Sequence, residues 1–260
     1  MRDRHCVTTA QVPADPPAAT RFGCLDALRG VAMVWMATYH FAYDLNFFRL
    51  LRIRLSTDPV WTVQRLCIVA LFLFCAGAGQ ALALRRTPQA PLGERFDARF
   101  WRRWAQVAGC ALLVSAVSYA MFSRTFISFG VLHAVAAMLI VVRLTAGTGP
   151  ALWGLGLAAL LLPHLVASPF FDSRWTNWLG FTTQRPPTVD YVPLLPWIGA
   201  MWWGVAAGAW TLRHRPGWLE GPLPVPLAPL AVLGRWPLSF YMLHQPLLMG
   251  GLQLWMRLHG

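Results

Sequence analysis

Residues 25–48, LDALRGVAMVWMATYHFAYDLNFF, decide how the whole chain is read. The stretch has the length of a bilayer-crossing helix, for which about 20 residues suffice. Yet Asp26 and Arg29 stand at its start, and His40 and Asp44 lie in its second half. Wound as a helix, Asp26, Arg29, Met33, Ala37, His40 and Asp44 follow steps of three or four and share one face. A polar stripe is costly against lipid, so it is expected to face other protein or a water-filled cavity. This helix should line a site, and its neighbours should wall it.

The neighbours are visible in the composition. Of 260 residues, 57% are hydrophobic and only 12% are charged, about half the charged fraction of a soluble domain. After 25–48, apolar runs recur at about 60–84, 104–122, 131–147, 151–167, 193–212 and 230–256. The expected fold is all-α, a polytopic bundle of about seven transmembrane helices in one integral domain, residues 21–260. Residues 1–20, rich in Pro, Ala and Thr, read as a disordered cytoplasmic tail rather than a cleaved leader. Small residues Ala76, Gly77, Ala78 and Gly79 suit close helix packing, whether inside the bundle or in a homodimer.

The net charge of +12 comes entirely from arginine, and the arginines cluster in short connectors. That is a positive-inside pattern and points away from nucleic acid as a partner. Residues 85–103 hold Arg85, Arg86, Arg95, Arg99, Arg102 and Arg103 against Glu94 and Asp97, which places this connector in the cytoplasm. The amino terminus is then inside, with 213–229, while 123–130 and 168–192 lie outside. Arg49, Arg52 and Arg54 sit awkwardly in this scheme, and an inverted topology stays open. The cysteines (Cys6, Cys24, Cys67, Cys75, Cys110) lack metal-ligand spacing and suggest no disulfide framework. No phosphate loop, metal constellation or serine-nucleophile motif is present.

With the amino terminus inside, residues far apart in sequence converge on the outer half of the bundle. His40 is the candidate catalyst, a neutral imidazole able to take a proton near pH 7. Asp44, one turn on, is expected to orient it; the bland alternative is a structural pair. His133, His244, Gln245 and Asp190 are candidate substrate-binding residues at the same depth. Each has a scaffold reading too: His133 as a cap of its helix, Asp190 at the first turn of the sixth span. Pro246 should disturb the last helix, and Gln245 is a candidate to repair the freed backbone groups. At the opposite end Arg29 and Arg235 are candidate anion-binding residues, though Arg29 can equally neutralise Asp26.

LDALRGVAMVWMATYHFAYDL at 25–45 resembles the opening signature of compact bacterial proteins grouped with heparan-alpha-glucosaminide N-acetyltransferase, within a wider superfamily of transmembrane acyltransferases. FGVLH at 129–133, DYVPLLPWIGAMWWGVAAG at 190–208 and LGRWPLSFYMLHQPLL at 233–248 agree with it. The resemblance implies acyl transfer from cytoplasmic acyl-CoA, typically acetyl-CoA, to an acceptor across the membrane. The chain is much shorter than the lysosomal member, so an envelope glycan or amino sugar is the expected acceptor rather than heparan. The expected location is the bacterial cytoplasmic (inner) membrane, in contact with lipid. Arginines at the cytoplasmic mouth, Arg29 and Arg235 among them, would attract the CoA phosphates. Arg29 to His40 spans about 16 Å of helix, a distance suited to the pantetheine arm. His40 would deprotonate the acceptor or carry the acyl group itself.

Two other classes compete. A proton-coupled transporter also needs intramembrane His and Asp, but no inverted repeat is evident; it would move substrate without consuming acyl-CoA. A non-catalytic membrane scaffold would leave acyl transfer indifferent to His40→Ala.

Overall fold

The structure, a computed structural model, describes residues 22–52, 54, 57–85, 91–188 and 190–259. The expected tail 1–20, with Cys6, and Arg86 in the basic connector lie outside the described residues. Among the described residues the chain is all-α. Its principal helices are α1 Gly23–Phe47, α2 Pro59–Leu84, α3 Ala98–Met121, α4 Val131–Thr145, α5 Ala151–Leu165, α6 Leu194–His214, α7 Ala228–Leu233 and α8 Pro237–His259. Three segments are long and apolar enough to cross a membrane: α2, α3, and α4 with its one-turn extension to Thr148. The equally long α1 carries the polar stripe, and the apolar α5 is short.

Two boundaries depart from the sequence reading. The third span, expected at 104–122, begins at Ala98, because the Asp97 side chain accepts a hydrogen bond from the Phe100 N–H at 2.9 Å and caps the helix. Arg99, Arg102 and Arg103 therefore ride on α3 instead of in a connector. The last span, expected as one run at 230–256, is two helices. Gly234 ends α7 lying so close to α1 that a Cβ there would sit 1.8 Å from the Asp26 carbonyl oxygen. Pro237 then opens α8, where its missing N–H costs nothing. Pro246, expected to disturb this helix, lies inside it, and α8 continues through to His259.

Backbones meet where side chains are smallest, as expected between helices in lipid. Gly77 of α2 lies against the Met201 backbone of α6, and Gly204 of α6 against the Phe74 carbonyl of α2. Gly30 of α1 admits the Leu230 backbone of α7 in the same way. The core follows from these crossings: Leu73, Met138, Val142, Ile198 and Met201 from α2, α4 and α6 are fully buried.

One buried cation locks the end of this core. Arg143, near the end of α4, donates to Gln80 Oε1 at 2.8 Å and to the Arg95 carbonyl at 2.6 Å. Its guanidinium also lies over the Phe100 ring, 4.7 Å from the centroid. The connector between α2 and α3 is thereby fastened to α4. A lone arginine inside the apolar run VVRLT gives no periodic signal, and the sequence reading passed over it.

Candidate active site

The stripe on α1 finds its counterpart on α8. Asp44 is fully buried, and Gln245, 201 residues away in sequence, donates its side-chain N–H to Asp44 Oδ1 at 2.7 Å. One turn back along α1, the His40 ring faces the His244 ring, with centroids 5.0 Å apart and planes at 65°. Phe240 stacks nearly parallel to His244 at 5.8 Å, and Tyr39 meets the edge of His40 at 5.9 Å.

The hydrogen bonds fix one tautomer. His244 Nδ1 lies 2.7 Å from the Tyr241 carbonyl oxygen, which can only accept. Nδ1 therefore carries the proton, and Nε2 presents a lone pair. That Nε2 is buried with no hydrogen-bond partner, as are Asp44 Oδ2 and Gln245 Oε1. Leaving a buried polar atom unpaired costs about 1–3 kcal/mol, so three at one spot is a concentration that folding alone does not favour. Such groups call for a reason beyond packing.

Asp44 was expected to orient His40, yet its hydrogen bond goes to Gln245, and among the described residues His40 makes no hydrogen bond. The four-residue step puts both on one face of α1, but the approach of α8 decides which partner Asp44 meets. Gln245 was a candidate to repair backbone groups freed by Pro246; its N–H is directed across to α1 instead.

His133 and Asp190 meet at the turn that starts α4. His133 Nδ1 accepts from the Gly130 N–H at 3.3 Å, which leaves its Nε2–H to donate to Ser115 Oγ at 3.1 Å. Ser115 in turn donates to the Ile127 carbonyl at 2.6 Å. Asp190 Oδ2 accepts from the Val131 N–H at 2.9 Å, so it caps α4 and not the first turn of the sixth span. Burial pushes the Asp190 carboxyl up, and the Val131 N–H and the charges of Arg65 and Arg185 oppose that rise. At the far end of α1, Arg29 donates to Asp26 Oδ1 at 2.9 Å and to the Cys75 carbonyl at 3.4 Å. Gly79 gives its guanidinium room: a Cβ there would lie 2.5 Å from it. Arg235 is exposed in the break between α7 and α8. Among the described residues, no three of His, Cys, Asp and Glu gather where they could hold a metal ion.

Residues 21–246 match the family described as heparan-alpha-glucosaminide N-acetyltransferase, catalytic. The chain belongs to this family. Its members are acetyltransferase-type and membrane-associated, in keeping with the three helices of crossing length. No curated protein and no solved structure matches the chain.

The heparan-alpha-glucosaminide N-acetyltransferase match runs from the start of α1 to Pro246, and so contains the imidazole pair together with Asp44 and Gln245. Sequence reasoning missed the supporting groups. Tyr241 was one helical turn before His244, the spacing at which a backbone carbonyl meets a histidine Nδ1. Ser115 carried no signal, because its partner Ile127 lies beyond the end of its helix.

Proposed function

We propose that this protein transfers an acyl group, acetyl in the first instance, from cytoplasmic acyl-CoA to an amine or hydroxyl of an extracytoplasmic acceptor, a sugar of the cell envelope. Seven spans with the amino terminus inside go with this reading, in a bacterial inner membrane, with α1, α5, α6 and α8 crossing beside the three apolar segments. The observation that carries it is the apposition of His40 and His244 over a buried, half-satisfied Asp44–Gln245 pair, inside the matched region of an acetyltransferase family.

In this reading the acceptor nitrogen or oxygen attacks the thioester carbonyl carbon, forming the new C–N or C–O bond. His40 takes the proton that the acceptor loses. The C–S bond then breaks, and the leaving CoA sulfur receives that proton. The Nε2 lone pair of His244, unpartnered beside the His40 ring, is available to the imidazolium that His40 becomes, the role the sequence had given Asp44. Asp44 and Gln245 hold α1 and α8 in register beneath the rings. At the other end Arg235, exposed and without a side-chain partner among the described residues, meets the CoA phosphates. Arg29 contributes charge while bonded to Asp26.

The test uses purified protein in nanodiscs. Acetyl-CoA binding and CoA thiol release are followed with added amino sugars for the wild type, His40→Ala and His244→Ala. Binding by all three, with acceptor-dependent release by the wild type alone, is the expected result. A folded wild type that binds no acyl-CoA, or a His40→Ala variant with full release, overturns the proposal.

A further inference from the structure

Helix α1 ends on an arginine where a glycine is usual. Phe48 is its C-cap. The Leu50 N–H returns to the Leu45 carbonyl at 2.9 Å, and the Arg49 N–H meets the Asn46 carbonyl at 3.1 Å. This is the Schellman arrangement, whose turning residue takes a left-handed backbone and is most often glycine. Here that residue is Arg49, with φ at 62°, and among the described residues no other non-glycine residue has a positive φ. A side chain is disfavoured in that conformation, so folding alone does not select arginine for this turn.

The turn borders a cavity of about 380 Å³ lined by Asn46, Arg49, Leu51, Arg52 and Arg54. Three arginines and no carboxylate therefore share one wall. Among the described residues none of the three makes a side-chain hydrogen bond or ion pair. An adjoining cavity shares Arg52 and Arg54. Its carboxylate, Asp58, is occupied as the N-cap of α2, accepting from the Val60 N–H at 2.8 Å. Cations gathered on one wall repel each other until an anion enters, and guanidinium groups suit phosphate oxygens. These are the arginines that sat awkwardly in the positive-inside scheme; in the topology proposed above they lie on the face where arginine is depleted.

The surroundings of the cavity are apolar and open. Phe47 and Leu50 at the end of α1, and Val60 at the start of α2, are all exposed. A soluble anion gains nothing from such neighbours, whereas a lipid brings a phosphate and acyl chains together. A second copy of the chain meeting at this face would set arginine against arginine. Arg49, Arg52 and Arg54 are themselves exposed, as a site filled from the bilayer requires.

We infer that this cavity seats the phosphate of an anionic membrane lipid, with Arg49, Arg52 and Arg54 around the phosphate and the acyl chains against Phe47, Leu50 and Val60. A lipid held there ties the end of α1 to the start of α2, because Arg49 closes one helix and Arg54 precedes the other. The site is at the same end of α1 as His40, about 13 Å of helix rise away, but its binding stands apart from acyl transfer.

The test titrates the full chain, in neutral-detergent micelles and without acyl-CoA, with short-chain phosphatidylglycerol, short-chain phosphatidylcholine and inorganic phosphate. Phosphatidylglycerol is expected to bind at least about tenfold more tightly than phosphatidylcholine, with the preference falling as salt is raised. Inorganic phosphate should compete only weakly. Arg52→Gln should cut the preference about fivefold, the scale of one arginine at an anionic headgroup. Arg49→Gly should cut it as much, while the unfolding midpoint without lipid holds or rises, because glycine takes the left-handed turn freely. That split separates a residue that holds lipid from one that only shapes the turn. Equal binding of the two lipids, inorganic phosphate binding as tightly as phosphatidylglycerol, or a preference that survives both substitutions overturns the site. So does a preference lost only in step with a falling midpoint in both variants.

Discussion

The two ends of this bundle bury polar side chains in opposite ways. At the Arg143 end, the guanidinium has Gln80, the Arg95 carbonyl and the Phe100 face, while Arg29 is answered by Asp26. At the His40 end, Asp44 Oδ2, Gln245 Oε1 and His244 Nε2 are all buried without partners. Both ends meet the same cost of placing polar atoms among apolar helices. Only one is fully answered by the protein. Satisfied polar groups here fasten helices, and unsatisfied ones mark where chemistry is expected.

The largest effect should come from the unsatisfied end, and on activity. His40→Ala is expected to lower acyl transfer at least about a hundredfold, the usual scale for a lost general base. The unfolding midpoint should hardly move, because no hydrogen bond of His40 is lost. His244→Ala should behave alike in activity; it removes the orphaned Nε2 as well as the bond to the Tyr241 carbonyl. CoA release and thermal unfolding, measured on the same samples, check both. A fall in stability matching the fall in activity would erase the contrast between the ends.

The satisfied end should answer with stability. Arg143→Met strips Gln80 Oε1 and the Arg95 carbonyl of a charged donor, for an expected loss of about 2–3 kcal/mol. Acetyl-CoA binding per folded molecule should persist. Chemical denaturation in detergent, with binding measured on the folded fraction, tests this; a lost binding site in a stable variant would show that the Arg143 end serves more than the fold.

Between these lies Gln245→Leu, which leaves the buried Asp44 carboxyl with no hydrogen bond among the described residues. A destabilisation of about 1–3 kcal/mol is expected. Gln245→Glu tests the same contact with opposite logic, since two carboxyls cannot both be charged at 2.7 Å. Its unfolding midpoint should fall further as pH rises, and a flat pH profile would show that the contact is unimportant.

Much of this was legible in the sequence, for reasons that differ from residue to residue. The face shared by His40 and Asp44 follows from helical spacing alone, and the depth of His244 and Gln245 follows from counting residues across spans. What spacing cannot supply is how α8 is rotated against α1, and that rotation gives Asp44 to Gln245 and His244 to His40. His133 and Asp190 were expected at one depth, and both meet the start of α4, but their bonds to Gly130 and Val131 depend on how the turn before α4 folds. The break at Gly234 was hidden for another reason. The run from 230 to 256 stays apolar through it, and only the approach of the Asp26 carbonyl shows why a glycine stands there. The early start of α3 was written in the sequence as aspartate before a helix, but the arginines after it were weighed as connector.

That helix start gives the smallest and sharpest test. Asp97 lies outside the membrane-crossing segments, and the Phe100 N–H, then Arg99, hold its carboxyl below the ordinary range. A depressed carboxyl favours the folded state once the unfolded chain has lost its proton, above about pH 4. The contribution fades as pH falls through the folded value. Asp97→Ala should therefore cost about 1 kcal/mol at neutral pH, as lost caps do, and the gap from wild type should narrow in acid. Asp97→Asn keeps an acceptor for Phe100 and should recover most of the loss with no acid dependence of its own. Unfolding midpoints at pH 7 and at a pH well below 4 for the three proteins decide it. If alanine and asparagine are equally harmful, the cap acts through charge on the α3 arginines rather than through the Phe100 hydrogen bond, and this end of the bundle is held by electrostatics more than by satisfied donors.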